Sequence, residues 1–172
     1  DENWNFLDEP KAIGEIVIKS PANMVGYWKN EEATKEVFND DGWFKSGDLG
    51  YIDDGFVYIV DRVKDMVIRG GENISCIEVE TAIYDHPSVQ EAAVFGIPEE
   101  RLEESLCVAI CLKPSTNLSQ VELESFLKDK LASFKIPSIT QIGHEELPRV
   151  ASGKFSKTQL RDIFVSIEKN QS

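Results

Sequence analysis

The sequence predicts an α+β protein in which a β-rich amino-terminal part is followed by a small α+β domain of about five strands and three helices. Strand-like runs dominate the first 60 residues, and one short helix over 31–38 interrupts them. From residue 66 onward, short apolar runs alternate with segments that open on helix-capping sequences. Helices on one or both faces of a small sheet would bury the apolar residues of both kinds of segment.

The β-rich part is built from short segments of strand-like composition. Four strands are expected there, at 15–19, 43–45, 49–52 and 56–60. The last two flank Asp53-Asp54-Gly55, and an Asp-Gly pair between two strand-like runs is typical of a tight hairpin turn. The sequence therefore predicts a β-hairpin at this point.

The second part alternates between strands and helices. Four of its strands are placed at 66–69, 89–97, 105–112 and 138–142. Three helices are expected, each after a serine three residues before Glu or Gln, and the pairs are Ser75 with Glu78, Ser119 with Glu122 and Ser156 with Gln159. In such a pair the serine side chain can accept a hydrogen bond from a backbone N–H in the first turn, which fixes where the helix begins.

The net charge excludes several kinds of partner. Eighteen Lys and Arg residues against 31 Asp and Glu give a formal charge of −13 in 172 residues. Nucleic acids and anionic lipids are bound by clustered cations, so neither is expected as a main partner. The longest apolar run, Leu106–Leu112, is far shorter than the roughly 20 residues needed to cross a bilayer. No membrane span and no signal peptide are therefore expected.

The cysteines and histidines argue against a metal site. Cys107 and Cys111 lie inside the apolar run, and with Cys76 they make an odd number, which is typical of buried thiols in a reducing, cytoplasmic compartment. The two histidines, His86 and His144, have no ligand-like spacing to the cysteines. No metal ligands are expected in this chain.

Two charged residues in the first part could bind a nucleotide. Asp48 follows Gly47 at the end of a strand-like run, where a carboxylate can accept hydrogen bonds from both hydroxyls of a ribose. Arg62, fourteen residues further on, offers a planar fork of donors to ribose or phosphate oxygens. The alternatives are a turn aspartate bonded to its own backbone and a surface ion pair.

Two glycine-containing segments of the second part are the other candidates. Gly70 and Gly71 permit positive φ and allow a thin ligand to pass close to the backbone, or they form a plain turn. Gly153 and Lys154 can bring an ammonium group close to a phosphate or carboxylate, or they form a surface turn with a solvated lysine. No Gly stands five residues before Gly153, so this is not the phosphate-binding loop Gly-x-x-x-x-Gly-Lys-Ser/Thr.

Three longer strings contain these residues in order. They are Gly42-Trp-Phe-Lys-Ser-Gly-Asp48, Asp61-Arg-Val-Lys-Asp-Met-Val-Ile-Arg-Gly-Gly-Glu-Asn-Ile74 followed by Glu78-Val-Glu80, and Leu147-Pro-Arg-Val-Ala-Ser-Gly-Lys-Phe-Ser-Lys157. Together they closely resemble the carboxy-terminal portion of the adenylate-forming superfamily of acyl- and aryl-CoA synthetases, luciferases and the adenylation domains of peptide synthetases. The resemblance runs from about residue 14 to residue 164.

The resemblance implies a domain organisation. Residues 1–61 would be the end of a large amino-terminal AMP-binding domain, 62–65 the hinge, and 66–172 a small, mobile carboxy-terminal domain. The rest of the large domain, with its phosphate loop, adenine pocket and acyl pocket, would lie outside these 172 residues and would be their main partner.

The resemblance also implies roles for single residues. Asp48 is similar to the aspartate that holds the ATP ribose hydroxyls, and Arg62 to the arginine that supports it. Lys64 occupies the hinge position, and Gly70-Gly71 matches the loop along which the pantetheine arm of CoA passes. Lys154 matches the lysine that reaches the acyl carboxylate and the α-phosphate during adenylation.

The implied function is an ATP-dependent carboxylic acid–CoA ligase that makes acyl-CoA from a fatty or aryl acid through an acyl-adenylate. ATP, Mg²⁺ and CoA would be substrates or cofactor of the intact enzyme, and none would be bound tightly by residues 1–172, which alone are expected to be inactive. Two alternatives stay open: an adenylation domain that loads a carrier-protein thiol, and a non-catalytic binding module with relic motifs.

The two half-reactions of such an enzyme need different groups beside one adenylate. A small domain that rotates between the steps can supply both. Lys154 and Gly70-Gly71 are therefore expected on different faces of that domain, too far apart for one ligand to touch both.

The sequence departs from the family pattern at three positions. Val150 stands where the family often has Thr, and Lys157 where Arg is common. Glu103 replaces a frequent Gly before Glu104, which makes an acidic loop more acidic. That loop is therefore not expected to help bind the negatively charged CoA.

Overall fold

A computed structural model describes residue 1 and residues 3–169, and the side chains of residues 1 and 3–166. The chain divides into two compact units, Asp1–Lys64 and Asp65–Ser172. The α+β class predicted from the sequence is confirmed.

The first unit is an antiparallel sheet with one short helix. Its elements are β1 (Gly14–Ile18), α1 (Glu31–Val37), β2 (Phe44–Asp53) and β3 (Phe56–Arg62). The sheet order is β1-β2-β3, and the predicted hairpin is confirmed because Asp53 pairs with Phe56 across a two-residue turn. The sequence predicted two strands where β2 is one. β1 pairs with both predicted segments, at 44–45 and again at 49–50, which joins them into a single ladder.

The second unit contains five strands and three α-helices within the described residues. The strands are β4 (Val67–Arg69), β5 (Glu72–Ile74), β6 (Val89–Glu99), β7 (Glu103–Leu112) and β8 (Ile139–Gly143). The helices are α2 (Cys76–Tyr84), α3 (Gln120–Lys128) and α4 (Lys157–Lys169). β7 pairs with β6 along one edge, while its other edge pairs with β4 at Glu103 and, in parallel, with β8 along 107–111. β5 is the strand that the sequence did not predict separately.

Helices cover both faces of the β6–β7 pair, so these strands are apolar on both sides. Val94 belongs to the cluster that α2 and α3 cover with Ile83 and Leu127. The next residue, Phe95, belongs to the opposite cluster and meets Phe164 of α4 edge to face, with 4.9 Å between ring centroids. A strand buried on both faces has no polar alternation, which explains the continuous apolar run at 106–112.

The helix starts follow the predicted capping sequences. Ser119 Oγ accepts from Glu122 N at 3.3 Å and the Glu122 carboxylate accepts from Ser119 N at 2.9 Å, which completes a capping box. Ser75 Oγ accepts from Glu78 N at 3.2 Å, while the Glu78 carboxylate accepts from Lys135 Nζ at 2.7 Å. The Glu78 side chain therefore serves a tertiary ion pair.

The three cysteines, all in the described part of the chain, form no disulfide and are buried, as the sequence predicts. Cys107 and Cys111 lie in the cluster beneath α4. Burial, followed by the charges of Glu91 and Glu146, raises the pKa of the Cys111 thiol. A protonated, buried thiol is a poor nucleophile.

Candidate functional site

Asp48 and Arg62 form a pair on the sheet of the first unit. They are directly opposite each other in the β2–β3 ladder, and Arg62 Nε donates to Asp48 Oδ1 at 3.0 Å. Their side chains remain 38% and 44% exposed, so both groups can still meet a ligand from the solvent side. The structure thus brings together the two residues that the sequence proposed for the nucleotide.

Gly47, next to the Arg62 guanidinium, has a backbone conformation that favours glycine. Its φ of +77° is one that side chains rarely adopt, and a Cβ there would lie 3.6 Å from Arg62 Nη2. Gly47 N donates to Glu15 Oε1 at 3.0 Å, which ties this part of β2 to β1. The Asp48–Arg62 pair therefore sits on a backbone fixed from the neighbouring strand.

Lys64 lies in a 3₁₀ turn, Val63–Asp65, at the division between the two compact units. The turn follows Asp61, a buried carboxylate whose Oδ1 accepts from Arg62 N at 2.7 Å. On the other side, Asp65 O accepts from Cys76 Sγ at 2.9 Å. Each unit thus holds its own end of this short segment.

Gly70 and Gly71 form the tight turn between β4 and β5. Both have positive φ, +59° and +81°, as the hairpin turn of this type requires. Gly70 N donates to Leu102 O at 2.9 Å, and a Cβ on Gly70 would lie 3.4 Å from Leu102 Cδ2. Around Gly71, by contrast, the space is open. The glycine turn is therefore fastened to the β6–β7 loop and presents bare backbone at Gly71.

β7 begins with one strained residue. Glu103 has a φ of +67°, a left-handed conformation that glycine adopts without steric cost. Glu104 Oε2 accepts from Ile68 N at 2.8 Å, which links the start of β7 to β4. Glu103 thus places a side chain on a glycine-like backbone.

Lys154 is exposed in a second tight turn, just before α4. Gly153 N donates to Val150 O and Val150 N donates to Lys154 O, both at 2.9 Å. Arg149 and Phe155 pair as an isolated β-bridge at the base of this turn. The lysine therefore lies in a small hairpin, directly after the turn residue Gly153 and opposite Val150.

The two turns are fastened to opposite ends of β6. The Lys154 turn is tied through Arg149 to Glu91, near the start of the strand. The glycine turn is tied to Leu102 by the bond from Gly70 N. Leu102 precedes Glu103, which pairs with Glu99 at the far end of β6. Glu91 and Glu99 are eight residues apart in β6, which is about 26 Å in an extended strand. The anchors of the two turns are therefore far apart along β6, and the separation of the turns by more than one ligand stays a prediction.

Lys157, the first residue of α4, belongs to a largely buried charge pair. Its Nζ lies 3.2 Å from Glu80 Oε1, and the two side chains are 18% and 19% exposed. Glu80 Oε1 also accepts from Val94 N at 2.8 Å. Burial lowers the pKa of Lys157, but the charges of Cys76, Glu80 and Asp65 and the bond to Glu80 outweigh burial and raise the pKa above its ordinary value.

Sequence reasoning missed the two residues that hold the Lys154 turn. Arg149 lies in the string that carries Lys154, but its contacts cannot be read from the string. Glu91 stands 58 residues away. Its only signal is a carboxylate in a strand whose neighbours, Ala92 and Ala93, are buried. A carboxylate at such a position is costly unless an opposite charge or a hydrogen-bond donor pairs with it.

Comparison with known proteins identifies the family. Residues 78–154 match the family model of the AMP-binding enzyme C-terminal domain. The long-chain-fatty-acid–CoA ligase of Bacillus subtilis strain 168 is 41% identical over 160 residues, which are 92% of this chain and 28% of that enzyme. The chain belongs to the adenylate-forming, AMP-binding enzyme superfamily.

Two further adenylate-forming proteins cover the chain in the same way. The fatty acid–[acyl-carrier-protein] ligase ScoC of Streptomyces coeruleorubidus is 41% identical, over 90% of this chain and 30% of its own length. The crystal structure of ATP-bound MatB from Rhodopseudomonas palustris matches with a TM-score of 0.85 and 36% identity, over 92% of this chain and 32% of that one. The chain thus spans less than a third of the length of these relatives.

Among the described side chains, those of residues 1 and 3–166, no three from His, Cys, Asp or Glu gather as they would around a metal ion. Over the same residues, no helix has the length and apolar composition needed to span a bilayer. The candidate groups of this chain are Asp48 with Arg62, the glycine turn and the Lys154 turn.

Proposed function

We propose that residues 1–172 are the carboxy-terminal part of an ATP-dependent carboxylic acid–CoA ligase that makes acyl-CoA through an acyl-adenylate. The observation that carries the proposal is Lys154, an exposed residue directly after the tip of a turn that is tied to the sheet. A fatty or aryl acid is the proposed substrate. Its support is the Arg69–Ile74 string and the name of the Bacillus subtilis relative.

In the first half-reaction, a carboxylate oxygen of the acid attacks the α-phosphorus of ATP, and the bond to pyrophosphate breaks. Two anions must approach each other, so a positioned ammonium lowers the barrier electrostatically without transferring a proton. Lys154 is proposed for this role. Asp48 would accept hydrogen bonds from the ribose hydroxyls, and the bond from Arg62 Nε would fix the orientation of that carboxylate.

In the second half-reaction, the thiolate of CoA attacks the acyl carbonyl carbon of the adenylate, and AMP leaves. This step needs a narrow passage for the pantetheine arm rather than a second cation. Gly70 and Gly71 are proposed to line it, since the backbone at Gly71 is open to approach. Rotation about Lys64, in the proposed hinge 62–65, would exchange the Lys154 turn for the glycine turn.

The proposal requires a larger amino-terminal domain that completes the site. Relatives about three times as long support it, since the chain covers only 28–32% of them. Residues 1–61 would be the end of that domain and 66–172 the mobile one. Mg²⁺ would enter with the phosphates of ATP, and the described residues do not form a ligand cluster for it.

The test is acid-dependent release of pyrophosphate by the intact protein that carries these residues. A panel of aryl acids and fatty acids of several chain lengths is offered with ATP and Mg²⁺, with and without CoA. We expect pyrophosphate release with at least one acid, and acyl-CoA and AMP when CoA is present. Residues 1–172 alone serve as the control and should release none. Absence of release with every acid, or release by residues 1–172 alone, would overturn the proposal.

Similarity to ScoC, a fatty acid–[acyl-carrier-protein] ligase, favours one second candidate, in which the thiol acceptor belongs to a carrier protein. The first half-reaction and its residues are the same in both cases. Presenting CoA and a phosphopantetheinylated carrier protein to the preformed adenylate separates them, since only the true acceptor should discharge it at a catalytic rate.

A further inference from the structure

The turn that carries Lys154 has little support of its own. Residues 149–154 are all exposed, and two backbone hydrogen bonds of 2.9 Å close the turn. These bonds fix its local shape but not its direction relative to the sheet. Groups outside the turn must therefore set where the Lys154 ammonium group points.

Arg149 supplies that support through three contacts. Its Nη1 donates to Gly153 O, next to Lys154, at 2.7 Å. Its Nη2 donates to Glu91 Oε1, and its guanidinium carbon lies 4.4 Å from the centroid of the Phe155 ring. A planar fork of donors can bridge a carbonyl and a carboxylate in a fixed geometry, which a single ammonium group cannot do.

Glu91 is the fixed end of this bridge. It lies in β6, the strand that pairs with β7 at one edge of the sheet, and its side chain is only 17% exposed. Its second oxygen, Oε2, accepts from Leu147 N at 3.5 Å, at the start of the segment that leads to the turn. A carboxylate so placed is costly unless it is paired. The pair with Arg149 both satisfies that charge and ties the turn to the sheet.

We propose that Arg149, held by Glu91, is a positioning residue for Lys154 in the adenylation half-reaction. The inference rests on the proposed function, because it concerns the step assigned there to Lys154. Arg149 acts by holding the Gly153 carbonyl, so that the next side chain leaves the turn in one direction. A displacement of about 1 Å of a group that stabilises a transition state can cost on the order of 10²-fold in rate.

The first test separates the half-reactions in the intact protein. For Arg149→Gln we expect the kcat of acid-dependent ATP–pyrophosphate exchange to fall by about 10- to 100-fold, with the KM for ATP and acid changed less than about threefold. Thiolation of a supplied acyl-adenylate should keep the wild-type rate. Arg149→Lys keeps the charge without the fork and should not restore exchange. Equal loss in both half-reactions would overturn the proposal.

The second test asks whether Arg149 acts through Lys154. The double variant Arg149→Gln/Lys154→Ala should be no slower in adenylation than Lys154→Ala alone. A further loss in the double variant would mean that Arg149 acts elsewhere, and the proposal would fail. If Lys154→Ala itself adenylates at the wild-type rate, the role of Lys154 in the proposed function fails instead, which is a distinguishable result.

The third test measures the turn directly, by hydrogen exchange of the intact protein followed on peptides spanning 147–157. In Arg149→Gln and in Glu91→Gln, the Val150 and Gly153 amides should exchange at least about tenfold faster than in the wild type, because an unsupported surface turn opens more often. The control is Lys130→Gln, which breaks a different ion pair, with Asp85, in the same unit. It should leave both the hydrogen exchange of these amides and the rate of adenylation unchanged. Unchanged hydrogen exchange in both Arg149→Gln and Glu91→Gln would contradict the proposal.

Discussion

Arg62 Nε lies 3.0 Å from Asp48 Oδ1, and the two residues face each other directly in the β2–β3 ladder. Strand register alone brings these side chains together, although fourteen residues separate them. The pair is more than a third exposed on both sides, so its own contribution to stability is small. Its importance is expected to lie in ligand binding.

Asp48→Ala should raise the KM for ATP of the intact protein by about 100-fold or more, because it removes two hydrogen bonds from the ribose hydroxyls, each of which contributes about 1.5–3 kcal/mol. The thermal midpoint should change little. Asp53→Ala, which removes a carboxylate paired with Lys11 in the same strand, is the control. An unchanged KM in Asp48→Ala would argue against the ribose role.

Gly71→Ala should slow thiolation and spare adenylation. The space around Gly71 is open within this chain, so a methyl group there would intrude on a passing ligand. Its positive φ of +81° also makes the substitution strained. Gly55→Ala tests strain alone, since Gly55 has a φ of +78° in open space at a hairpin of the first unit. Comparable thiolation in the two variants would contradict the proposed passage.

Glu103→Gly should raise the free energy of unfolding of residues 1–172 by about 0.5–1 kcal/mol. A left-handed φ costs a non-glycine residue about 1–2 kcal/mol, and the greater freedom of glycine in the unfolded chain offsets part of the gain. Urea denaturation measures the difference. Glu100→Gly removes a charge from the adjoining β6–β7 loop, at a residue without positive φ. This control should not stabilise the chain.

Lys157→Met should destabilise residues 1–172 by about 1–3 kcal/mol at neutral pH, because it removes one partner of the pair with Glu80. Since the folded-state pKa of Lys157 is raised, the stability that the pair contributes is fully present below the ordinary pKa of 10.5. That stability is lost as pH rises through the folded-state pKa.

The gap in unfolding free energy between wild type and Lys157→Met should therefore close above that pH. Lys157→Arg is the matched control, because its guanidinium stays charged at higher pH. In that variant the gap relative to Lys157→Met should persist. A gap that is constant with pH in the wild type would show that the charge of Lys157 does not stabilise the fold.

The local parts of the fold could be predicted from the sequence because short-range chemistry determines them. Ser119 and Glu122 form both bonds of the predicted capping box, and Asp54-Gly55 closes the predicted hairpin. The long-range parts could not be predicted. Glu78 also fitted a capping box, but its carboxylate bonds Lys135, 57 residues away.

In the candidate site, too, the local features could be predicted from the sequence and the long-range contacts could not. The motif strings predicted Asp48, Arg62, the glycine turn and Lys154, because each depends on residue types at fixed local spacing. Arg149 and Glu91 meet only once β6 and the segment before α4 have packed. Sequence spacing carries no information about such a contact, and only a partly buried carboxylate in an apolar strand hints at it.

The most direct test of the account compares the two half-reactions in Lys154→Ala of the intact protein. Acid-dependent ATP–pyrophosphate exchange should fall by about 10²- to 10³-fold, the usual loss when a group that stabilises developing charge is removed. Discharge of a supplied acyl-adenylate to the thiol acceptor should keep a rate close to that of the wild type. Equal loss of both half-reactions, or exchange at the wild-type rate, would contradict the account.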